Sequence, residues 1–306
     1  MFVAGIGQSS LDYLAVVDGY PLVDTKKEVL EWYEQCGGPV ATALVTLSRL
    51  GIPCKFYGVI GDDYAGEKIT RSLKNENIDI SGIVKREGTT SQIAFIAIER
   101  GTAKRTIFWK RPSGEVLKRA ELGDSFLEEA DFLLLDGLMQ EASLYAAARA
   151  GERSIPVMLD AGRNRPGMLE LARLSDYVVA SGEFAKDLGW DLSEEGLQRE
   201  KEKLGVKVLT VTLGEQGSIT VSYNMFLQIP VFSVKAIDTT GAGDAFHGGY
   251  LYGLLQEWNL RDTIIFASAV AAMKCTKIGG RDGIPNLREV KVFLSERGHP
   301  IPGPKQ

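Results

Sequence analysis

The chain of 306 residues is 44% hydrophobic and 25% charged, with a formal net charge of −5. That composition is of an ordinary soluble globular chain with material for a sizeable core, in one large α/β unit or two smaller ones. The acidic balance excludes general nucleic-acid binding, which needs a basic footprint, and no apolar run reaches the length of a membrane span. The start, Met1-Phe2-Val3-Ala4-Gly5, lacks the basic region and cleavage site of a signal peptide and reads as a strand. Cys36, Cys54 and Cys275 are odd in number and scattered, so buried free thiols in a reducing cytoplasm are expected, without disulfides or a zinc site.

After the first strand, apolar alternation predicts strands over 11–17 and 28–33. A helix is expected over 39–50, with Pro39 suited to its first turn and Gly51 to its end. A buried strand over 55–60, a helix over 64–75 and a short strand over 82–85 follow. Alternating strands over 92–98 and 105–110 flank Gly101 as a hairpin. From Phe132 the rhythm becomes strand, helix, strand: strands over 132–135, 157–159, 177–180 and 208–212, a helix over 143–150, and further β structure over 219–229. Helices over 242–256, 260–274 and 287–296 close the pattern, and the proline-containing tail from 298 to 306 is expected to fray. The rhythm implies an α/β fold with a doubly wound, mostly parallel sheet flanked by helices. The early alternating strands do not fit it. They are assigned to a small β-sheet lid made of 11–35 and 88–111, over a core of 1–10, 36–87 and 112–306.

The run Asp238-Thr239-Thr240-Gly241-Ala242-Gly243-Asp244-Ala245-Phe246 is the most specific motif. Its two glycines flank an alanine where a helical pattern begins, so free N–H groups and the positive dipole end would face an anion. Glycine also lets the backbone approach that anion closely. A carboxylate in the first turn would repel a phosphate that was merely bound, but suits a base acting on the group that attacks the phosphate. A plain glycine turn opening a helix would account for Asp244 as a dipole-favoured residue, but not for the Gly-Ala-Gly density or the paired threonines.

This run resembles the second signature of the PfkB, or ribokinase-like, carbohydrate kinases, and Gly37-Gly38-Pro39-Val40-Ala41 through Leu50-Gly51 resembles the first. The resemblance covers nearly the whole chain. Within the family, Gly37 to Thr42, Asp244 to Gly248 and Ala271 to Pro285 are most similar to the sulfofructose kinase and ketohexokinase-like branch. The resemblance implies a ribokinase-like fold, a β lid over the substrate that often doubles as a homodimer contact, and ATP with Mg²⁺ as cofactors. Asp244 would be the base and the backbone of Gly241, Ala242 and Gly243 the anion hole. Asp12, Gly37 and Gly38 fall where the family grips a sugar, a carboxylate accepting from neighbouring hydroxyls, and Thr42 stands where sugar-specific members carry Asn. Thr212-Leu213-Gly214-Glu215-Gln216-Gly217 resembles the nucleotide loop, at Thr212, Gly214 and Gly217. Ser181 and Phe184 stand at the two ends of the usual Asn-x-x-Glu, a departure bearing on the magnesium-water network, for which Glu183 is a candidate substitute. Asp238 and Thr240, with Gly279-Gly280, fall where many members hold a monovalent cation such as K⁺, a feature that is not universal.

The acceptor is less sharply indicated. Lys26 falls at a basic lid position of the sulfonate-binding branch, while Leu138 replaces an expected Arg and Lys110 an expected Asn. Lys110 and Arg111, with Arg105, form a basic cluster; on a strand Arg105, Trp109 and Arg111 share one face and Lys110 takes the other. One expectation is that Lys26, with Lys110 or Arg111, engages an anionic group on the sugar, a role also open to Arg163 and Arg165; the other is a charged solvent face. His247 is read as packing, not as a metal ligand. Two near misses are set aside: Gly5 to Ser10 lacks the third glycine and the helix of a dinucleotide fingerprint, and Gly61 to Lys68 carries Glu67 where a P-loop needs Lys. The expected activity is ATP-dependent phosphorylation of a hydroxyl on a small sugar or derivative. A nucleoside or phosphosugar kinase on the same fold, and a sugar-binding protein without chemistry, are the alternatives.

Overall fold

In a computed structural model that describes residues 1–302, nine strands form one sheet and four form another. The strands are β1 (Val3–Ile6), β2 (Ser10–Val17), β3 (Glu31–Gly37), β4 (Cys54–Gly61), β5 (Asp79–Arg86), β6 (Ile93–Glu99), β7 (Arg105–Lys110), β8 (Phe132–Leu135), β9 (Val157–Ala161), β10 (Tyr177–Ser181), β11 (Val208–Thr212), β12 (Ser218–Ser222) and β13 (Met225–Ile229). The helices are α1 (Pro39–Arg49), α2 (Tyr64–Asn75), α3 (Gln140–Glu152), α4 (Met168–Arg173), α5 (Gly182–Asp187), α6 (Glu194–Leu204), α7 (Ala242–Leu255), α8 (Leu260–Lys274) and α9 (Leu287–Ser295).

The large sheet runs β13-β12-β11-β10-β9-β8-β1-β4-β5, parallel except at β12 and β13. Its central strands are short apolar runs because both faces are covered. Alternation sends Val3, Phe132 and Leu134 into one core, with α1, α2, α7, α8 and α9. Ala4, Leu133 and Leu135 enter the other, with α3, α4, α5 and α6. This is the doubly wound, ribokinase-like α/β architecture expected.

The second sheet has the order β3-β2-β6-β7, with β2 and β6 parallel and the outer pairs antiparallel. Register places Gln35, Asp12, Ala94 and Trp109 side by side, hence on one face. That face continues through the buried Leu14, Ile96 and Ile98 and packs against Ile278 of the large unit. On the other face Tyr13, Trp32, Phe95 and Phe108 form a chain of rings with centroids 6.0, 5.9 and 6.2 Å apart. Trp32 and Phe108 are 53% and 60% exposed.

β3 begins and ends later than expected, because its second half pairs with the start of β2 and delivers Gly37 straight into α1. The helices α4, α5 and α6 were not expected. The first two have six residues each, and α6 turns only Gly196, Leu197, Lys201 and Leu204 inward from a highly charged run. Of the tail, Ile301 packs on the core, and 303–306 lie outside the described residues. No helix among the described residues is long and apolar enough to cross a membrane.

Candidate active site

Two helix starts converge at the carboxyl ends of the parallel strands, where open α/β sheets bind ligands. α7 begins at Gly241 with φ 73°, and a Cβ there would come 2.6 Å from the Gly280 carbonyl oxygen. α1 begins at Gly38 with φ 99°, and a Cβ there would come 2.3 Å from the Gln8 carbonyl oxygen. Only glycine satisfies both the backbone angle and the space at these positions. Pro39, lacking an N–H, then takes the first position of α1 at no hydrogen-bonding cost.

Asp244 sits in the first turn of α7. It keeps some solvent contact, yet protein surrounds it closely enough to push its carboxyl up to about 7. Loss of water is the main cause and the Asp160 carboxylate the next, opposed by His247, Arg105 and Arg281. Across the cleft Asp12 is buried, accepts from Ser10 Oγ at 2.7 Å and rests against Gly37. Burial pushes it up to about 6 against the pull of Ser10 and Arg281.

Two more acids line the strand ends. Asp136 follows β8, accepts from the Gln8 and Leu138 amides at 2.8 and 2.9 Å, and is pushed up to about 6, chiefly by burial. Asp160 ends β9, is also raised by burial, and lies 3.5 Å from His247 Nε2. Neither belongs to a motif, so sequence reasoning missed them. Their signal was an acid directly following an apolar run, Leu133 to Leu135 and Val157 to Leu159. His247 is more than packing: its ring nitrogens pair with the Gly243 carbonyl at 2.6 Å and the Val179 carbonyl at 3.3 Å, fastening the first turn of α7 to β10.

Arg281 was also missed. Buried, it donates to the Gly37 carbonyl at 2.9 Å, to Ser72 Oγ at 3.0 Å and to Thr42 Oγ1 at 3.3 Å. Thr42, 1% exposed, thus accepts from Arg281 behind Gly37. Arg105 reaches from β7 to donate to Thr239 Oγ1 at 2.7 Å, and Thr239 donates to the Ala103 carbonyl at 3.3 Å. The lid hairpin thus rests on the anion loop.

The other expected residues fall as follows. Lys110 pairs with Ile93, on the opposite sheet face from Asp12. Arg111 lies over the Trp109 ring at 5.2 Å, beside the Asp12 face. Lys26 is exposed in the loop between β2 and β3. Ser181 Oγ donates to the Gly162 carbonyl at 2.7 Å and caps α5 by accepting from Phe184 N at 3.0 Å, while Phe184 is core. Glu183 pairs with Arg163 at 2.6 Å, an exposed surface pair. Thr212 ends β11 beside Ser181, and Gly214 has φ 59° with open space around it. At Gly217 a Cβ would meet the Ile229 carbonyl oxygen at 2.1 Å, so that glycine serves the turn into β12. Asp238 Oδ1 accepts from Thr240 N and Oγ1 at 2.8 and 2.7 Å, and Oδ2 from Gly279 N at 2.7 Å.

Fold and cleft together define a ribokinase-like α/β protein with a glycine-opened helix start that carries Asp244 in its first turn. The ribokinase of Thermotoga maritima superposes with a TM-score of 0.79 at 28% identity, covering 96% of this chain and 99% of that one. Residues 2–287 match the pfkB family carbohydrate kinases, and the chain belongs to that family. It is 28% identical to fructokinase-1 of Zea mays over 319 residues, covering 96% of this chain and 98% of the relative. It is 29% identical to the ribokinase of Lactococcus lactis over 298 residues, covering 96% and 97%. The protein is a carbohydrate kinase.

Proposed function

We propose that the cleft transfers the terminal phosphoryl group of ATP to a hydroxyl of a small neutral sugar, with Asp244 as base. The observation that carries the reading is Asp244 itself: a carboxyl pushed up to about 7, in the first turn of a helix whose start no side chain caps. A base with that affinity can take a hydroxyl proton near neutral pH as the oxygen attacks phosphorus. The amides of Gly241, Ala242 and Gly243 then stabilise charge on the group in flight without reorganising.

The acceptor would lie between Asp244 and Asp12, with Asp12 and the Gly37–Gly38 backbone binding its other hydroxyls. A neutral acceptor is favoured because Asp12, Asp136, Asp160 and Asp244 gather at this end of the sheet, while Lys26 is exposed in a loop and Lys110 lies across the lid sheet. The nucleotide would lie along Thr212 and Gly214. Among the described residues no three His, Cys, Asp or Glu side chains converge on a metal position, which fits a Mg²⁺ ion held mainly through the ATP phosphates. Asp136 and Asp160 would meet its water shell, and the ion would supply charge neutralisation on those phosphates. The four-stranded sheet would act as the lid that excludes water, and its exposed aromatic face would pair with a second copy, burying Trp32 and Phe108. Three free, buried cysteines agree with a reducing, cytoplasmic setting.

The test is ADP release over a panel of ketoses, aldoses, sugar acids, sulfosugars, sugar phosphates and nucleosides. A neutral hexose or pentose should give the highest kcat/KM; a sulfosugar, sugar phosphate or nucleoside in first place would overturn the acceptor assignment. ATP and sugar binding without ADP release would overturn the catalytic one.

A further inference from the structure

Two glycine turns open the helices of the cleft, and one side chain runs between them. Gly279 and Gly280 back the turn at Gly241: Gly279 N donates to Asp238 Oδ2 at 2.7 Å, and a Cβ on Gly241 would come 2.6 Å from the Gly280 carbonyl oxygen. The next residue, Arg281, sends its guanidinium to the other turn. It donates to the Gly37 carbonyl at 2.9 Å, just before the turn, and to Thr42 Oγ1 at 3.3 Å, just after it. A third bond, to Ser72 Oγ at 3.0 Å, anchors the group to α2. The Gly37–Gly38 turn is thus braced from both of its ends. None of the three partners is a carboxylate, although Arg281 is only 4% exposed. A buried cation with neutral partners is costly, and an apolar side chain in its place would avoid that cost. Local rules are broken in this way where function requires it.

We infer that Arg281 is a positioning residue of the acceptor site: it holds the Gly37–Gly38 backbone and, through Gly37, the Asp12 carboxylate where they meet the sugar, without touching the sugar itself. This role rests on Asp12 and Gly37–Gly38 being the acceptor's partners. The link from Gly37 to Asp12 is steric. A Cβ on Gly37 would come 2.1 Å from Asp12 Oδ2, so the carboxylate lies against the bare Cα, while Ser10 Oγ donates to Oδ1 at 2.7 Å. A shift of Gly37 therefore moves the surface on which Asp12 rests. A guanidinium suits the task because its planar fork serves three separate acceptors at once, which an ammonium on a flexible stem does less well. Burial raises both Asp12 and Asp244, and the Arg281 charge opposes the rise at each. Gly279 is held through its own amide, so loss of the Arg281 side chain should fall on the acceptor and spare the nucleotide.

The experiment uses the full chain with ATP and, as probes, D-fructose and D-ribose. Arg281→Met, which fills the space without the fork, should raise the KM of the better probe about 10- to 100-fold. Its kcat should stay within about 3-fold, and ATP binding, measured by calorimetry without sugar, within about 2-fold. In Arg281→Ala, guanidinium at sub-denaturing concentration should recover at least about 5-fold in kcat/KM while sodium at equal ionic strength recovers none, which a space-filling role would not give. Ser72→Ala, which removes one anchor from α2, should raise the same KM about 3-fold. An unchanged sugar KM in Arg281→Met would overturn the proposal, as would a loss of kcat or ATP affinity as large as the rise in KM, or no recovery by guanidinium. If neither Arg281 variant folds, Ser72→Ala decides, for the proposal if KM rises and against it if KM holds. Turnover of neither sugar by the wild type would count against the proposed activity, and hydrogen exchange without ligands then decides this one. Peptides spanning 36–44 should exchange at least about 3-fold faster in Ser72→Ala than in the wild type, with 208–214 unchanged; equal exchange over 36–44 would sink the role.

Discussion

The two walls of the cleft are built on different terms. The wall made by the anion loop is a web of buried polar contacts. Asp238 ties Thr240 to Gly279, His247 ties Gly243 to Val179, and Arg281 ties Gly37 to Thr42 and Ser72. The opposite wall is one sheet, mostly apolar on its Asp12 face, which also carries Gln35, Glu31 and Arg105, with exposed rings on its outer face. Removing one partner from a buried polar web strands the other, at roughly 1–3 kcal/mol each, whereas exposed lid residues change within about 0.5 kcal/mol. The first wall fixes the reaction. The second is free to vary, and the acceptor can change with it.

Substitutions on the two walls should therefore differ in size and in kind. Asp244→Asn should lower kcat between about 10² and 10⁴-fold while ATP binding, read by calorimetry, persists. In the wild type kcat/KM should climb with pH and level off above about 7, because the base works only after losing the proton that burial makes it hold; a profile flat from pH 5 to 8 would remove Asp244 from that role. Gly241→Ala should cost about 10²-fold in kcat and about 1–3 kcal/mol of stability, since it meets both a positive φ and the Gly280 carbonyl. On the lid side, Asp12→Asn should act mainly on sugar KM, raising it about 10- to 100-fold for loss of hydrogen bonds to a charged group; an equal fall in kcat with KM unchanged would contradict the division of labour. Trp32→Glu should separate a dimer in sedimentation while changing KM no more than about 3-fold. Lys110→Ala should be the mildest, within about 2-fold in every constant, because its side chain projects away from Asp12.

The same contrast explains what could be read from the chain. Asp238 to Phe246 was legible because glycine density at a helix start has few structural uses, and α2, β7, β8, β11 and α8 were legible to the residue because their periodicity is unbroken. The short α4 and α5 gave no full turn-to-turn pattern, and α6 hid its buried residues among charges. Asp136, Asp160 and Arg281 were not legible as parts of the cleft. Each is a single polar residue whose meaning depends on what the fold brings beside it. At Thr42 and Lys110 the place along the chain was plain, but the direction of the side chains, toward Arg281 and the outer lid face, is set by the fold.

The contact between Arg105 and Thr239 has a consequence for biosynthesis. It joins positions 239 − 105 = 134 residues apart, and Asp12 and Asp244 are 244 − 12 = 232 apart. A chain emerging from the ribosome completes β1 to β7, and with them the four-stranded sheet, long before the turn at Gly241 is translated. Domains fold as units, and the Asp12 face of that sheet packs on Ile278 while Arg105 holds Thr239, so the sheet gains its final contacts only once the residues that follow Thr239 have been made. Translation thus delays catalysis until both walls exist.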